Sequence, residues 1–221
     1  MLSSMGRKRI HNEATAVALL DAAEAIVAAD GLEGLTVRRV AEEVGTTTRA
    51  VYSSIGSKEA LLTRLSERAF DLLAAQVAVV PRTDDPVADL VAAGTLGFRR
   101  WALEHPALFE IGFLRDVAIP QEVWLQARPA VQRALDQLLD LIRRIEQTGG
   151  LAGRAVEAAT LQFDCLCEGL VIADLRSHAR TDGDSTLIWA DALTALVVGW
   201  RSTGHHSSPV SAPRYDWLAQ P

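Results

Sequence analysis

The stretch TVRRVAEEVGTTTRAVYSSIGSKEALL, residues 36–62, decides how the chain is read. Val37, Val40, Ala41 and Val44 stand at i, i+3, i+4 and i+7, the spacing of one apolar helix face. Thr36 ahead of them is a residue of the N-capping type, and Gly45 behind them is a stop. Thr47 caps a second short helix, residues 48–54, in the same way, and Gly56 and Ser57 then separate it from a long helix that opens at Lys58. Two short helices about a glycine turn make a helix-turn-helix, whose second helix fits a major groove with its N-terminal side chains against base edges. Residues 46–48 and Arg49 suit that place. Threonine offers a donor, an acceptor and a methyl group for thymine, while arginine reaches guanine O6 and N7 or holds a phosphate. An exposed helix start that merely caps well would also use threonine, so the three hydroxyls alone leave both readings open.

The rest of the chain is helical in pattern too. Its 221 residues are 49% apolar, enough for a substantial core, and no segment sustains a period of two. The expected class is all-α. A first helix is predicted over residues 12–30, with Val17, Leu20, Ala23, Ala25, Ile26 and Val27 as its buried stripe and Gly31 and Gly34 as its end. After residues 36–54, helices are predicted over 58–79, 87–104, 106–114, 121–126, 129–147, 155–179 and 185–200. No apolar run is long enough to span a bilayer, and Arg7, Lys8 and Arg9 precede no signal-peptide core, so the expectation is a soluble cytoplasmic protein without a membrane partner.

Charge is unevenly spread. The net value is −6, which taken alone argues against nucleic acid. Residues 1–58, however, carry seven of the 22 basic and seven of the 28 acidic side chains, so the whole deficit lies beyond them. With Arg7, Lys8, Arg9, Arg38, Arg39, Arg49 and Lys58 expected to gather on one surface, this is a neutral-to-basic module on an acidic body.

The run LTVRRVAEEVGTTTRAVYSSIGSKEALL resembles the N-terminal DNA-binding domain of the TetR family of transcriptional regulators. Thr36, Ala41, Gly45, Tyr52, Lys58, Glu59 and Leu61 stand at the family's signature places, and the likeness covers about residues 13–62. Ile55 replaces the usual Phe and Ser54 the common His; Ile55 still supplies an apolar plug. The resemblance implies phosphate contacts by Thr36, Tyr52 and Lys58, and base contacts by Thr46, Thr47, Thr48, Arg49 and Ser53. Lys58 also lies at a helix N-terminus, which favours a phosphate.

The same resemblance divides the chain into a three-helix DNA-binding domain (1–58), a larger helical ligand-binding and dimerisation domain (59–204) and a tail (205–221). FRRWALEHPALFEIGF (98–113) and DCLCEGLVIADL (164–175) are similar to a C-terminal subclass that carries a Trp-x-x-x-His-Gly pattern; Asp164 and Glu168 replace its Trp and His, and Gly169 is retained. Asp164 and Glu168 are four apart on an otherwise apolar helix, where like charges repel and burial adds to the cost. Either they hold a cationic ligand or a metal beneath nearby aromatics, or they pair with arginines or face solvent. The candidate effector site takes in Trp101, Phe109, Phe113, Trp124, Asp164, Cys167 and Glu168. A plain aromatic core would use the same large side chains.

Residues 155–179 and 185–200 carry apolar positions on more than one face, as a homodimer interface requires. No nucleophile motif or phosphate-binding glycine loop is present, and His11, His105, His178, His205 and His206 are scattered; neither an enzyme nor a cofactor is expected. Cys165 and Cys167 diverge on a helix, which supports neither a disulfide nor a zinc site. The resulting expectation is a repressor released from a palindromic double-stranded DNA operator by a small-molecule effector. A helix-turn-helix interaction module that answers to another protein is the other class, and the size of the C-terminal part favours the first.

Overall fold

The computed structural model describes residues 3–113, 119–177 and 185–202, of which residues 3–13 and Ser177 are described by their backbone alone. Among the described residues every regular element is helical. In order they are α1 (Ser3–Gly34), α2 (Val37–Val44), α3 (Thr48–Ser54), α4 (Lys58–Ala78), α5 (Pro86–Ala92), a π-helical segment (Ala93–Phe98), α6 (Arg99–Glu104), α7 (Pro106–Phe113), α8 (Gln121–Gln147), α9 (Val156–Ser177) and α10 (Thr186–Gly199). The backbone falls into two compact units, Met1–Ala69 with Pro106–Pro129, and Phe70–His105 with Ala130–Pro221.

In the first unit, α1 buries Leu19, Ala22, Ala23, Ile26 and Val27, a stripe at i, i+3, i+4, i+7 and i+8. This corrects the predicted register: Val17 is 55% exposed, Ala25 is exposed and Leu20 is half-buried. Alanine and valine occur all round this helix, so the apolar pattern permits several stripes and only the packing partner selects one. Gly31 takes φ 69° and ψ −176°, turning the chain so that Leu32 and Leu35 enter the core beside Val37 and Val40. Only glycine adopts that conformation cheaply. Leu61, Leu62 and Leu65 of α4 are buried as predicted, and α7, almost wholly apolar, packs on α1.

The second unit is built on three large buried indoles, Trp101, Trp189 and Trp200. Its helices 87–104 are not continuous α-helix. The π-helical segment intervenes, and it sets two glycines in close contact: a Cβ on Gly94 would lie 2.5 Å from Leu193 Cδ1, and one on Gly97 would lie 2.9 Å from Val77 Cγ2. A second correction concerns Pro129, which does not divide α8. An interior proline costs roughly 3 kcal/mol. The ring is exposed, and Val123, Trp124, Ala127, Ala130 and Val131 keep one buried stripe through it. Each large side chain so buried contributes about 1.5–3 kcal/mol, which outweighs the lost backbone bond.

The loop between α4 and α5 is tied down by charge. Both Asp89 carboxylate oxygens accept from the Thr83 backbone N–H at 2.9 Å, and Arg144 Nη1 donates to Oδ2 at 2.6 Å. Arg144 Nη2 also donates to the Thr83 carbonyl at 2.6 Å. Burial alone would push the Asp89 carboxyl up; the hydrogen bonds from Arg144 and Thr83, with the arginine's charge, more than offset it and hold the group below its usual value. Because the folded-state value is depressed, this stabilisation is present above the unfolded carboxylate pKa of about 3.9 and disappears as pH falls through the lower folded one. Asp89→Asn is expected to cost about 2–4 kcal/mol in urea denaturation at neutral pH, since it leaves a part-buried guanidinium without its anion. The deficit relative to the parent should shrink below about pH 4.

Candidate nucleic-acid interface and effector site

Backbone capping shapes the α2–α3 turn. Thr36 Oγ1 accepts from the Arg39 N–H at 3.2 Å, and Thr47 Oγ1 accepts from the Ala50 N–H at 3.2 Å, so both predicted caps are present. Between them Gly45 lies in the left-handed region at φ 68°, while the Thr46 N–H reaches the Ala41 carbonyl at 2.8 Å and the Gly45 N–H the Glu42 carbonyl at 3.1 Å. That bond pattern closes the helix end and starts the next helix two residues on.

Val51 is fully buried, which turns the opposite side of α3 outward. Thr48, Arg49, Tyr52 and Ser53, at i, i+1, i+4 and i+5, are all exposed, Tyr52 to 59%. Thr36 and Thr47 are exposed as well, and Thr46 is half-buried. The oxygens of Thr36 and Thr47 serve as caps, and each hydroxyl keeps its proton to donate. Ser53 Oγ donates to the Ala50 carbonyl at 2.9 Å and keeps its lone pairs.

The cations are less uniform than charge counting suggests. Arg38 Nε meets Glu42 Oε1 at 2.8 Å, and Arg39 is paired with Asp30, so neither is free in the way expected of them. Lys58 Nζ donates to the Leu32 carbonyl at 3.3 Å, which leaves two of its donors. No ion pair involves Arg49 among the described residues. The side chains of Arg7, Lys8 and Arg9 lie outside the described residues, as do His11, His178, His205, His206 and the tail 205–221.

All seven effector-site candidates are buried. Trp101 on α6 and Asp164, Cys167 and Glu168 on α9 belong to the second unit; Phe109 and Phe113 on α7 and Trp124 on α8 belong to the first. Phe109 and Phe113 stack at 5.4 Å, and Trp101 meets Phe98 at 6.0 Å. The carboxylates do not face solvent. Burial, and after it the charges of Asp164 and Glu168, push the Cys167 thiol well above its ordinary value, which places both acids close to the sulfur and keeps the thiol protonated. Cys165 is exposed on the other side of α9.

Outward faces remain on the last two helices. Trp189, Leu193 and Val197 of α10 point inward, whereas Leu187 is 75% and Ile188 64% exposed. Leu161, Leu166, Leu170 and Ile172 of α9 are half-buried. Sequence reasoning passed over Arg99, which joins α6, α9 and α10 through Asp174, Ser185 and Thr186. An arginine in a stretch that also holds Arg100 carries no signal of its own.

Comparison with known proteins bears on this arrangement. A family model described as bacterial regulatory proteins of the tetR family matches residues 19–65, and one described as a tetracyclin repressor-like C-terminal domain matches residues 91–196. The HTH-type transcriptional repressor DrrR1 of Streptomyces coeruleorubidus is 31% identical over 171 residues, 72% of this chain and 52% of that protein. The chain therefore spans about half the length of that relative. Among solved structures, the TetR family transcriptional regulator PfmR of Thermus thermophilus superposes with a TM-score of 0.65 at 20% identity, covering 82% of this chain and 97% of that one. FadR of Bacillus subtilis, solved in complex with stearoyl-CoA, gives 0.67 at 16% identity, covering 83% and 98%.

The turn geometry is testable by itself. Thr47→Ala should cost about 1 kcal/mol, the worth of an N-cap. Gly45→Ala meets no atom within 4 Å, so its expected cost of about 1–2 kcal/mol is purely that of a left-handed alanine. Urea denaturation measures both, and a neutral Gly45→Ala would show that the turn is not held in this conformation.

Proposed function

We propose, for a chain that belongs to the TetR family of bacterial transcriptional regulators, that it is a repressor held on a palindromic double-stranded DNA operator as a homodimer and released by a small-molecule effector. One observation carries the DNA reading: the face of α3 that shows Thr48, Arg49, Tyr52 and Ser53 is exposed and held from both ends by caps. Arg49 and Thr48 reach base edges there. Thr36, Tyr52 and the remaining donors of Lys58 hold phosphates, with Thr46, Thr47 and Ser53 as further base contacts. The Arg38–Glu42 pair is largely exposed on both sides, so a phosphate competes with it easily.

In this reading residues 1–58 recognise DNA and residues 59–204 pair the subunits and bind the effector. The exposed apolar side chains of α10 and the half-buried leucines of α9 form the face that a second copy covers. Trp101 and Cys167 supply apolar lining for the effector, and Asp164 or Glu168 its charged end, while Phe109, Phe113 and Trp124 are the candidates in the first unit. Like charges four residues apart on one helix face repel, and a cationic group on the ligand lowers that repulsion. The resolved stearoyl-CoA complex of FadR supports a small-molecule role for a fold of this kind. An effector acts by preferring one arrangement of the paired DNA-binding units, so its effect on operator affinity is bounded by that preference.

Selection from random duplexes followed by gel shift should enrich a roughly palindromic site; enrichment of no sequence refutes specific binding. On that site Lys58→Ala should weaken all sequences alike and lower the salt slope by about one charge. Arg49→Ala should lose roughly 1–3 kcal/mol and relax preference at one position. For the effector, a thermal-shift screen of small cations and amphiphiles finds binders through mass action. Glu168→Gln should respond less to them while retaining operator affinity, and an unchanged response would misplace the charged end.

A further inference from the structure

We propose that Arg99 is the positioning residue of the dimer face: its guanidinium fixes the start of α10, and with it the side of that helix offered to a second copy. This inference rests on the homodimer reading above. Arg99 Nε donates to Asp174 Oδ2 of α9 at 2.8 Å, Nη2 to Ser185 Oγ at 2.7 Å and Nη1 to Thr186 Oγ1 at 3.1 Å. The Trp189 indole N–H donates to the same Asp174 oxygen at 3.1 Å. One cation at the head of α6 thereby joins three helices, with its side chain only 18% and that of Asp174 only 11% exposed.

Among the described residues, the start of α10 carries no side-chain N-cap. Ser185 precedes the helix at φ −70° and ψ −5°, a helical conformation, and its side chain caps no backbone N–H. Its hydroxyl is spent on Arg99. Trp189, Leu193 and Val197 bury one stripe along α10, and the polar cluster acts at its first turn. Thr186 and Trp189 are both held by the polar cluster, and Leu187 and Ile188, which stand between them, face outward. A rotation by one residue, about 100°, would withdraw one of these two from the surface. Arginine is required because three acceptors on two helices need a planar fork of donors, whereas lysine offers a point charge on a flexible stem.

The full-length chain is tested as Arg99→Lys, which keeps the charge opposite Asp174, and as the double variant Ser185→Ala with Thr186→Ala, which leaves Arg99 and Asp174 untouched. Sedimentation gives the dimer dissociation constant, and duplexes with the half-site spacing lengthened or shortened by one base pair report the geometry. Leu73→Ala, a core truncation on α4, serves as the control for general loss of stability. Both test variants should raise the dimer dissociation constant about tenfold, or about 1.4 kcal/mol, and broaden the tolerated spacing, whereas Leu73→Ala lowers the melting temperature without either effect. Variants that dimerise as tightly as the parent overturn the inference, and so does a Leu73→Ala that loosens the dimer as much as they do. A parent that sediments as a monomer at micromolar concentration fails the homodimer reading itself.

Discussion

Helices of eight and seven residues do not persist in water by themselves, because the cost of nucleating a turn exceeds what so few backbone bonds return. α2 and α3 exist because Val40, Ala41 and Val51 are withdrawn from water against α1 and against each other. That burial decides more than stability. With Val51 fixed inward, the helical period leaves α3 no choice about which side faces out, and the outward side is the one with Thr48, Arg49, Tyr52 and Ser53. The outward surface is the geometric complement of a small apolar contact. The caps Thr36 and Thr47 and the left-handed Gly45 set the angle at which the second helix leaves the first, and the cations of Arg39 and Lys58 tie the same region to Asp30 and to the Leu32 carbonyl.

The second unit solves a different problem, the placing of charge in an apolar interior. Asp89 and Arg144 are paired, with carboxylate and guanidinium both also engaging Thr83, and the result is a fixed loop. Arg99 and Asp174 repeat the arrangement at the head of α10. Asp164 and Glu168 share a helix face with Cys167, whose thiol is pushed above its ordinary value first by burial and then by their charges. A fold spends buried charge either on holding elements in place or on recognising something that brings a compensating charge. The first two clusters are of the former sort.

The described helices establish a family and a scaffold, and the family's models match both the DNA-binding and the C-terminal part of the chain. Similarity to DrrR1 extends over about half of that protein, and the structural neighbours at 16–20% identity share the fold.

Much of the DNA-binding part was legible because its determinants are local. A cap, a helical apolar period and a glycine stop act within a few residues of one another, so Thr36, Gly45 and Thr47 could be assigned to their backbone roles from order alone, as could the inward Leu61, Leu62 and Leu65. The stripe of α1 was misread because an alanine-rich helix offers several equivalent registers, and α8 was divided because a proline usually ends a helix unless burial on the far side outweighs it. The pairing of Arg39 with Asp30, the π-helical segment at Gly94 and Gly97, and the reach of Arg99 to Asp174 and Ser185 had no signature in the order of residues, whereas Arg38 and Glu42 stand at the helical i, i+4 spacing. Most of these depend on a partner far along the chain or on the clearance between two packed helices, and pairings of that range are chosen only when the tertiary structure brings the elements together.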